Sequence, residues 1–444
     1  MLRTLLAAFV LLFAAPAIAQ VAPPKPQVTY IQAGTLLDKP GQKPRGNSTI
    51  IVRDGKIAEV RDGFVDPEPG AKLVDLRTSF VMPGLIDTHV HMFMEGNPMK
   101  ARLEALGRDD GDEMIIGEEN ARLDLEAGFT TVRDLGSDPR QIRALRDGIE
   151  RGAVAGPTIV NAGQMISVSG GHGDGANGLA EPWAEAIAER QINTCNGADD
   201  CRRAVRQQVG LGALTIKFAA TGGVLSNVAG GLGQQMTIDE MRAVVDTAHS
   251  FGRKVAVHAH AVEGVHAAVE AGVDTVEHGT FLDDATIALM KAKGTWLVPT
   301  MLAPQTALAN ARAGRLPAAM LPKAESAAAA ATDSHRRAIR AGVRIAFGTD
   351  TGVSPHGINA QEFALMVNAG MTPMAAIKAA TIDAAEVLDR KGQIGSIEPG
   401  KWADIIAVSG DPLSDVRTLE RIDFVMRRGV VHKLGGKRQA FPPE

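Results

Sequence analysis

The sequence predicts an α/β protein in which a (β/α)₈ TIM barrel carries a small β-sandwich domain built from both chain ends. Three observations support this fold: the middle of the chain alternates short apolar runs with helical patterns, both ends contain only strand-like runs, and metal-binding residue types follow several of the middle runs. We divide the chain into a signal peptide at 1–19, sandwich strands at 20–82 and 391–444, and the barrel at 83–390.

The first residues have the order of a secretory signal. Arg3 provides the positive start, residues 5–13 form a short apolar stretch, and Ala17-Ile18-Ala19 is a small-x-small cleavage site. The apolar stretch is shorter than the roughly 20 residues that a spanning helix needs. We therefore expect export to the periplasm or medium after cleavage near Ala19, without stable membrane insertion; an uncleaved anchor is the alternative.

Charge and cysteine usage narrow the class of protein. The chain has 47 basic and 51 acidic residues, a net charge of -4, and the two signs are interspersed, which is unlike a nucleic-acid-binding or polybasic membrane surface. Its two cysteines, Cys195 and Cys201, stand close together in NTCNGADDCRRA. In an oxidising compartment this spacing favours a local disulfide, and free thiols or a metal clip are the alternatives.

Both ends read as strands and turns. Residues 27–82 contain alternating apolar positions, and Asp54-Gly55 is typical of a hairpin turn. A similar pattern of strands and turns occurs near the other end, in GSIEPGKWADIIAVSGD and RIDFVMRRGVVHK. We expect these two regions to form one sandwich.

The middle of the chain supplies eight candidate parallel strands. Helical patterns such as IDEMRAVVDTAHSFG and VEGVHAAVEAG separate them, and several end on glycine, the residue typical of a helix C-terminus. Active sites of such barrels lie at the carboxyl ends of the strands. The predicted strands are 85–91, 130–135, 158–166, 214–220, 254–260, 275–280, 296–301 and 344–350.

His89 and His91 lie two residues apart in the first barrel strand, so both side chains project from the same face. A single buried histidine is usually satisfied by a backbone carbonyl. Two inward histidines in an otherwise apolar strand are harder to satisfy without a cation, so we expect both to bind metal.

Five further candidates follow later strands. Lys217 faces the barrel interior, where burial disfavours its charge; a buried salt bridge and a metal ligand are both compatible with the sequence. His258 and His278 should end neighbouring strands, and His260 is either a ligand or a substrate contact. Asp350 could bind metal and accept a proton, or cap the following segment.

Glycine-rich loops at the barrel mouth supply candidate substrate contacts. One carries His172 in SGGHGDG, and another follows Lys217 as TGGV, whose backbone could bind a substrate carboxylate. No P-loop pattern is present. His356 in VSPHG is a rim candidate or a surface loop residue. The predicted substrate contacts are His172, Gly222, Gly223, Val224, His260 and His356.

This set of residues resembles the metal-dependent amidohydrolase superfamily. The motifs PGLIDTHVH, GFTTVRDLG, SGGHGDG, KFAATGGVLS, VEHGT and GTD are similar to its branch of imidazolonepropionase-related proteins, Xaa-Pro dipeptidases, zinc carboxypeptidases and ochratoxin-hydrolysing amidases. The resemblance implies two divalent metals, most suitably Zn²⁺, and a Lys217 carboxylated to bridge them. It also implies a homo-oligomer. One metal would be bound by His89, His91, Lys217 and Asp350, and the second by Lys217, His258 and His278.

By this resemblance the substrate is a small amide: a dipeptide, an N-acyl amino acid or an ochratoxin-like compound. Metal-activated water would attack the carbonyl, Asp350 would pass the proton to the leaving nitrogen, and His260 or His172 could assist. A lactonase or phosphotriesterase, a deaminase and a non-catalytic metal or ligand binder are the alternatives. HAHAVE together with Lys217 disfavours a mononuclear deaminase, and a receptor would not need Asp350.

Overall fold

The computed structural model describes residues 27–96, 100, 103–226, 228 and 230–442. The predicted signal peptide lies outside these described residues. Within them the predicted α/β fold with a β-rich domain built from both chain ends is confirmed, and the strands of that domain form one mixed sheet.

Both ends of the chain contribute to one mixed sheet with the order β15-β14-β13-β12-β4-β1-β2-β3. A bridge between Lys56 and Trp402 brings β3 next to the segment that precedes β12, so the sheet curls around its own apolar core. Its strands are β1 (Val28–Leu36), β2 (Ser48–Arg53), β3 (Lys56–Asp62), β4 (Lys72–Pro83), β12 (Ile405–Val408), β13 (Phe424–Arg427), β14 (Val430–Leu434) and β15 (Lys437–Arg438).

The middle of the chain forms two parallel sheets, β5-β6-β7 and β8-β9-β10-β11. A bridge between Ile166 and Phe218 joins β7's continuation to β8. The strands are β5 (Leu85–Val90), β6 (Phe129–Asp134), β7 (Thr158–Asn161), β8 (Ile216–Ala219), β9 (Val255–Ala259), β10 (Thr275–His278) and β11 (Trp296–Val298).

Residues 344–351 close the ring, although they do not form the regular eighth strand that the sequence predicts. Ile345 bridges to β11, and Thr351 bridges to Val90 of β5. Between these bridges the Thr88 N–H donates to the Phe347 carbonyl at 3.0 Å. Only a few ladder bonds form here because this segment turns into the site; Asp350 has a positive φ of 59°.

Several other strands end earlier than predicted. The strand expected over 158–166 stops at Asn161, and only Ile166 pairs again. The strand expected over 296–301 stops at Val298, because Pro299 has no N–H to donate and Thr300 has a φ of 48°. These early ends leave irregular backbone at the carboxyl side of the barrel.

Helices separate the barrel strands, and their ends carry the predicted signals. Thr237 and Glu240 form a capping box, and Gly272, Gly294 and Gly342 end helices in the left-handed conformation. The helices are α1 (Asp110–Glu126), α2 (Pro139–Glu150), α3 (Glu181–Arg190), α4 (Ala198–Gly210), α5 (Ile238–Ser250), α6 (Val262–Ala271), α7 (Asp284–Lys293), α8 (Leu302–Arg312), α9 (Leu321–Ala341), α10 (Gln361–Asn368), α11 (Pro373–Lys378) and α12 (Ala384–Val387).

The predicted disulfide between Cys195 and Cys201 is confirmed. It joins the segment after α3 to the first turn of α4, and the Cys195 N–H donates to the Ser167 carbonyl at 2.8 Å. The bond therefore fixes the base of the loop that carries His172. In the part of the chain described here, no helix is long and apolar enough to cross a membrane.

Gly348 tests the closure of the barrel. A Cβ at this position would lie 2.4 Å from Val298 Cγ1 and 3.1 Å from His89 Cβ. We expect Gly348→Ala to lower the free energy of unfolding by about 1–3 kcal/mol, the usual cost of overpacking. Because the displaced segment carries Asp350, metal retention should fall as well.

Urea unfolding and metal analysis after gel filtration measure both effects. Gly46→Ala is the matched control, because a Cβ there would meet nothing within 4 Å. Equal free energies of unfolding for the two variants would show that the close packing of Gly348 against His89 is not needed to close the barrel.

Candidate metal centre

The six predicted metal ligands all line one cavity of about 490 Å³ at the carboxyl side of the barrel strands. They reach it from β5, β8, β9, β10 and the closing segment. The ligands that converge are His89, His91, Lys217, His258, His278 and Asp350.

His89, His91 and Asp350 form one side of the site. The Nε2 atoms of His89 and His91 lie 3.4 Å and 3.2 Å from Asp350 Oδ1. Burial would raise the pKa of Asp350, but the adjacent His89 and His91 lower it below its usual range. Asp350 is therefore a carboxylate that two imidazoles face.

His258, His260 and His278 form the other side, with ring centroids 4.7–4.9 Å apart. The Nδ1 atoms of His260 and His278 each lie 2.7 Å from a threonine hydroxyl, those of Thr280 and Thr300. One ring nitrogen from each of these three histidines lies within 4.8 Å of the other two. The same holds for a second group, formed by a ring nitrogen of His89, one of His278 and a carboxylate oxygen of Asp350. His278 belongs to both groups and so connects the two sides.

Burial keeps most of these imidazoles neutral. Desolvation lowers the pKa of His89 to about 4 and of His260 to about 3, and it lowers the pKa of His258 and His278 well below the usual value. Neutral imidazoles offer a lone pair to a cation, so the site is built for a metal and not for a cluster of charged histidines.

Lys217 is buried in the same cavity, and its Nζ has no hydrogen-bond partner among the described residues. Desolvation lowers the pKa of this amine to about 8, against the attraction of Glu277 and Asp350. The sequence left open either a buried salt bridge or a metal ligand for Lys217. No salt bridge of Lys217 occurs among the described residues. A buried, unpaired amine is costly, and bonding to a ligand or modification would satisfy it.

Glu277 holds His89 from behind. Its Oε2 accepts from His89 Nδ1 at 2.8 Å, and its Oε1 accepts from Arg133 Nη2 at 2.9 Å. Burial would raise the pKa of Glu277, but Arg133 and the hydrogen bond from His89 lower it to about 2. With its Nδ1 proton directed at this carboxylate, His89 presents an unprotonated Nε2 to the site.

Our sequence reasoning missed Glu277 and Arg133. The available signal was their position: Glu277 immediately precedes His278 in VEHGT, and Arg133 lies in the strand GFTTVRDLG, so both are charges within apolar strands. Charges that are fully buried in the interior of a barrel must pair, and these two belong to strands of different sheets.

The donor set fits two divalent transition metals. Imidazole nitrogens and a carboxylate supply suitable ligands on both sides of the cavity, and Lys217 lies among them without a partner.

His172 also reaches the site, with its ring centroid 4.0 Å from that of His258. A Cβ on Gly223 would lie 2.3 Å from the His172 ring, so the glycine allows this approach. His172 and Val224 line the cavity as predicted.

Three predicted substrate contacts do not reach the cavity. The N–H of Gly222 donates to the Gly233 carbonyl at 3.0 Å, and that of Gly223 donates to Ser226 Oγ at 3.2 Å, so neither is free to bind a carboxylate. His356 is wrong as a rim residue: its ring nitrogens contact Asp124 Oδ2 and the Met94 carbonyl instead. Burial next to a carboxylate on α1 explains its position.

Comparisons with known proteins agree with this site. A model of the amidohydrolase family matches residues 80–432. Ochratoxinase from Aspergillus niger is 31% identical over 416 residues, which cover 89% of this chain and 84% of the ochratoxinase. The chain belongs to the amidohydrolase family. The resemblance inferred from the motifs is thereby confirmed, and the protein is a metal-binding hydrolase.

Solved structures extend the likeness to nearly the whole chain. A Xaa-Pro dipeptidase with bound methionine in the active site has a TM-score of 0.86 and 38% identity, covering 92% of this chain and 100% of that one. A prolidase complexed with N-methylphosphonate-L-proline has a TM-score of 0.84 and 31% identity, covering 93% and 100%. These neighbours of the amidohydrolase share its architecture.

Replacing Glu277 tests whether the buried carboxylate orients His89. Glu277→Gln keeps the size but leaves Arg133 without its counter-charge, so we expect metal affinity to fall about 10–100-fold. The free energy of unfolding should fall by about 3–5 kcal/mol. Metal titration in a competing chelator and urea unfolding measure the two quantities.

Glu263→Gln is the control for this variant, because Glu263 is exposed on α6. If Glu277→Gln bound metal as tightly as the control variant, His89 would not depend on this hydrogen bond.

Proposed function

We propose that this amidohydrolase is a binuclear zinc enzyme that hydrolyses the amide of a dipeptide, an N-acyl amino acid or an ochratoxin-like compound. The observation that carries the proposal is the unpaired, buried Nζ of Lys217 in a cavity that it shares with two groups of metal donors. Carboxylation by carbon dioxide would convert this amine into an anionic ligand that serves both metals.

His89, His91 and Asp350 would hold one metal and His258 and His278 the other, with Lys217 between them. Zinc is favoured because imidazole and carboxylate ligands suit it. Metals bound here supply Lewis acidity, which polarises a carbonyl and lowers the pKa of a bound water towards neutrality.

The chain's own residues then position and move protons. Asp350, a carboxylate at the cavity surface, accepts a proton from the attacking water and returns it to the leaving nitrogen. His172 and His260 line the cavity as neutral imidazoles and can hydrogen bond the substrate carbonyl. Apolar walls exclude competing water from this exchange.

Relatives support an amide substrate. The curated and structural relatives include an ochratoxinase and a Xaa-Pro dipeptidase whose active site holds methionine, a free amino acid. Release of an amino acid from the carboxyl side of an amide would be consistent with both names.

The cellular setting is also part of the proposal. The secretory pattern of residues 1–19 and the disulfide support action after export, in the periplasm or medium. We further propose that the enzyme is a homo-oligomer, as the family resemblance implies.

A substrate panel tests the proposed reaction. Zinc-loaded protein is incubated with dipeptides ending in Pro, Arg, Phe or Leu, with N-acyl amino acids and with ochratoxin A, and free amino acid is measured. We expect release from at least one of these. Asp350→Asn should reduce kcat about 100- to 10,000-fold, because the proton acceptor is lost. Turnover of a lactone or phosphotriester without any amino acid release would overturn the proposal.

Lys217→Ala tests the bridging ligand. We expect fewer than two metals per chain and loss of hydrolysis, with partial recovery when propionate supplies a carboxylate in the vacated space. Lys293→Ala, at an exposed position of α7, should keep both metals and full activity. Two metals per chain and full turnover in Lys217→Ala would contradict the assignment; elemental mass spectrometry gives the ratio.

A further inference from the structure

The cavity walls away from the metal donors are largely apolar. Ile187 of α3, Val224 and Leu225 of the loop after β8, and Val353 after the closing segment line it, together with two alanines and one proline of α8. Such walls suit an apolar side chain of a substrate and offer little to a charged one.

Most polar side chains on these walls already have partners. Ser137 Oγ donates to Asp134, Gln191 bonds Gly175 and Asp174, and Asn193 Nδ2 donates to the carbonyls of Met165 and Gly173. Gln164 Oε1 accepts from the Ile192 N–H. These groups therefore hold the loops in place and are not free to recognise a ligand's charge.

Arg190 differs from all of them. It is the last residue of α3, it is exposed, and it lines the cavity. No hydrogen bond or ion pair of Arg190 occurs within the described part of the chain. Among the described cavity-lining residues it is the one cation besides Lys217, and Asp350 is the one carboxylate.

The helix that presents Arg190 has no buried residue. Glu181–Arg190 therefore contributes little to the core, yet two of its side chains, Ile187 and Arg190, reach the cavity. The segment after it is anchored by the disulfide and by the Cys195–Ser167 hydrogen bond. Arg190 therefore lines the cavity at the end of a helix whose following segment is anchored.

We propose that Arg190 binds the carboxylate of the residue released by hydrolysis, while the apolar side chain of that residue packs against Ile187, Val224 and Leu225. This inference rests on the proposed amide hydrolysis and specifies its substrate class: an acyl amino acid or dipeptide with an apolar residue at its free carboxyl end. A guanidinium suits this role because it pairs with a carboxylate through two parallel hydrogen bonds.

The TGGV backbone was the candidate carboxylate site predicted from the sequence, and the geometry points to Arg190 instead. The N–H groups of Gly222 and Gly223 are engaged within their own loop. A substrate carboxylate in this cavity therefore needs another partner, and Arg190 is the free cation that the described walls supply.

Binding of L-leucine and L-leucinamide to the zinc-loaded enzyme tests the proposal by calorimetry, because these two probes differ in the carboxylate. We expect leucine to bind more tightly, and Arg190→Met to weaken leucine about tenfold while leaving leucinamide unchanged. Arg190→Lys should retain part of the preference. Higher salt should weaken leucine binding to the wild type more than to Arg190→Met.

Arg206→Met is the matched control, since Arg206 is exposed on α4 and does not line the cavity. In hydrolysis of the best panel substrate, Arg190→Met should raise KM about tenfold with kcat nearly unchanged, and the C-terminal carboxamide of that substrate should show no such change. A purely structural role would instead alter both substrates.

The outcomes separate the two proposals. If the wild type hydrolyses no amide but binds leucine in an Arg190-dependent manner, amide hydrolysis fails and the carboxylate site stands. If amides are hydrolysed but Arg190→Met changes neither KM nor leucine affinity, the carboxylate site is overturned. Equal binding of leucine and leucinamide by the wild type, or binding of neither, overturns it too.

Discussion

Asp87, a fully buried carboxylate of β5, accepts hydrogen bonds from the His89 N–H, from the N–H and hydroxyl of Thr349, and from Asn359 Nδ2. Burial raises its pKa to about 7 despite these four donors. Because Thr349 precedes Asp350, this one side chain fixes the closing segment against the strand that carries His89 and His91. The contacts that close the barrel therefore also bring Asp350 next to His89 and His91.

The site combines strain with desolvation. His278, Thr300 and Asp350 have φ values of 73°, 48° and 59°, a region that non-glycine residues rarely occupy and that costs of the order of 1–3 kcal/mol each. Neutral imidazoles and an unpaired lysine share the same cavity. Surrounding packing must hold these groups in place, and bound metal would recover part of that cost by using the lone pairs.

The sequence predicted the ligands better than it predicted their supports. His89 and His91 could be predicted because residues two apart in a strand point to the same face. The later donors could be predicted from the alternation of strands and helices. Glu277 and Arg133 were missed because their partners lie on other strands, and Arg190 was missed because its proposed role depends on a cavity that spacing does not reveal. His356 was misplaced because the sequence does not show that Asp124, far away in the chain, packs against it. The irregular shape of the closing segment was not predicted for a similar reason. An apolar run predicts a strand, whereas tertiary contacts decide whether the backbone of that run turns into the metal site.

The metal donors and the apolar cavity walls belong to different parts of this molecule. The metal donors lie on or next to barrel strands, or on the segment that closes the barrel, so a change at one of them disturbs the fold as well as the site. The apolar cavity walls come from α3, the loop after β8 and α8, which pack on the barrel without closing it. The disulfide adds rigidity at the point where α3 joins the barrel, and a wall that is held in place need not be ordered by the substrate. An apolar wall with one unpaired guanidinium can therefore be altered by substitutions in α3 while the hydrogen bonds of Asp87 and Glu277 keep the metal centre unchanged.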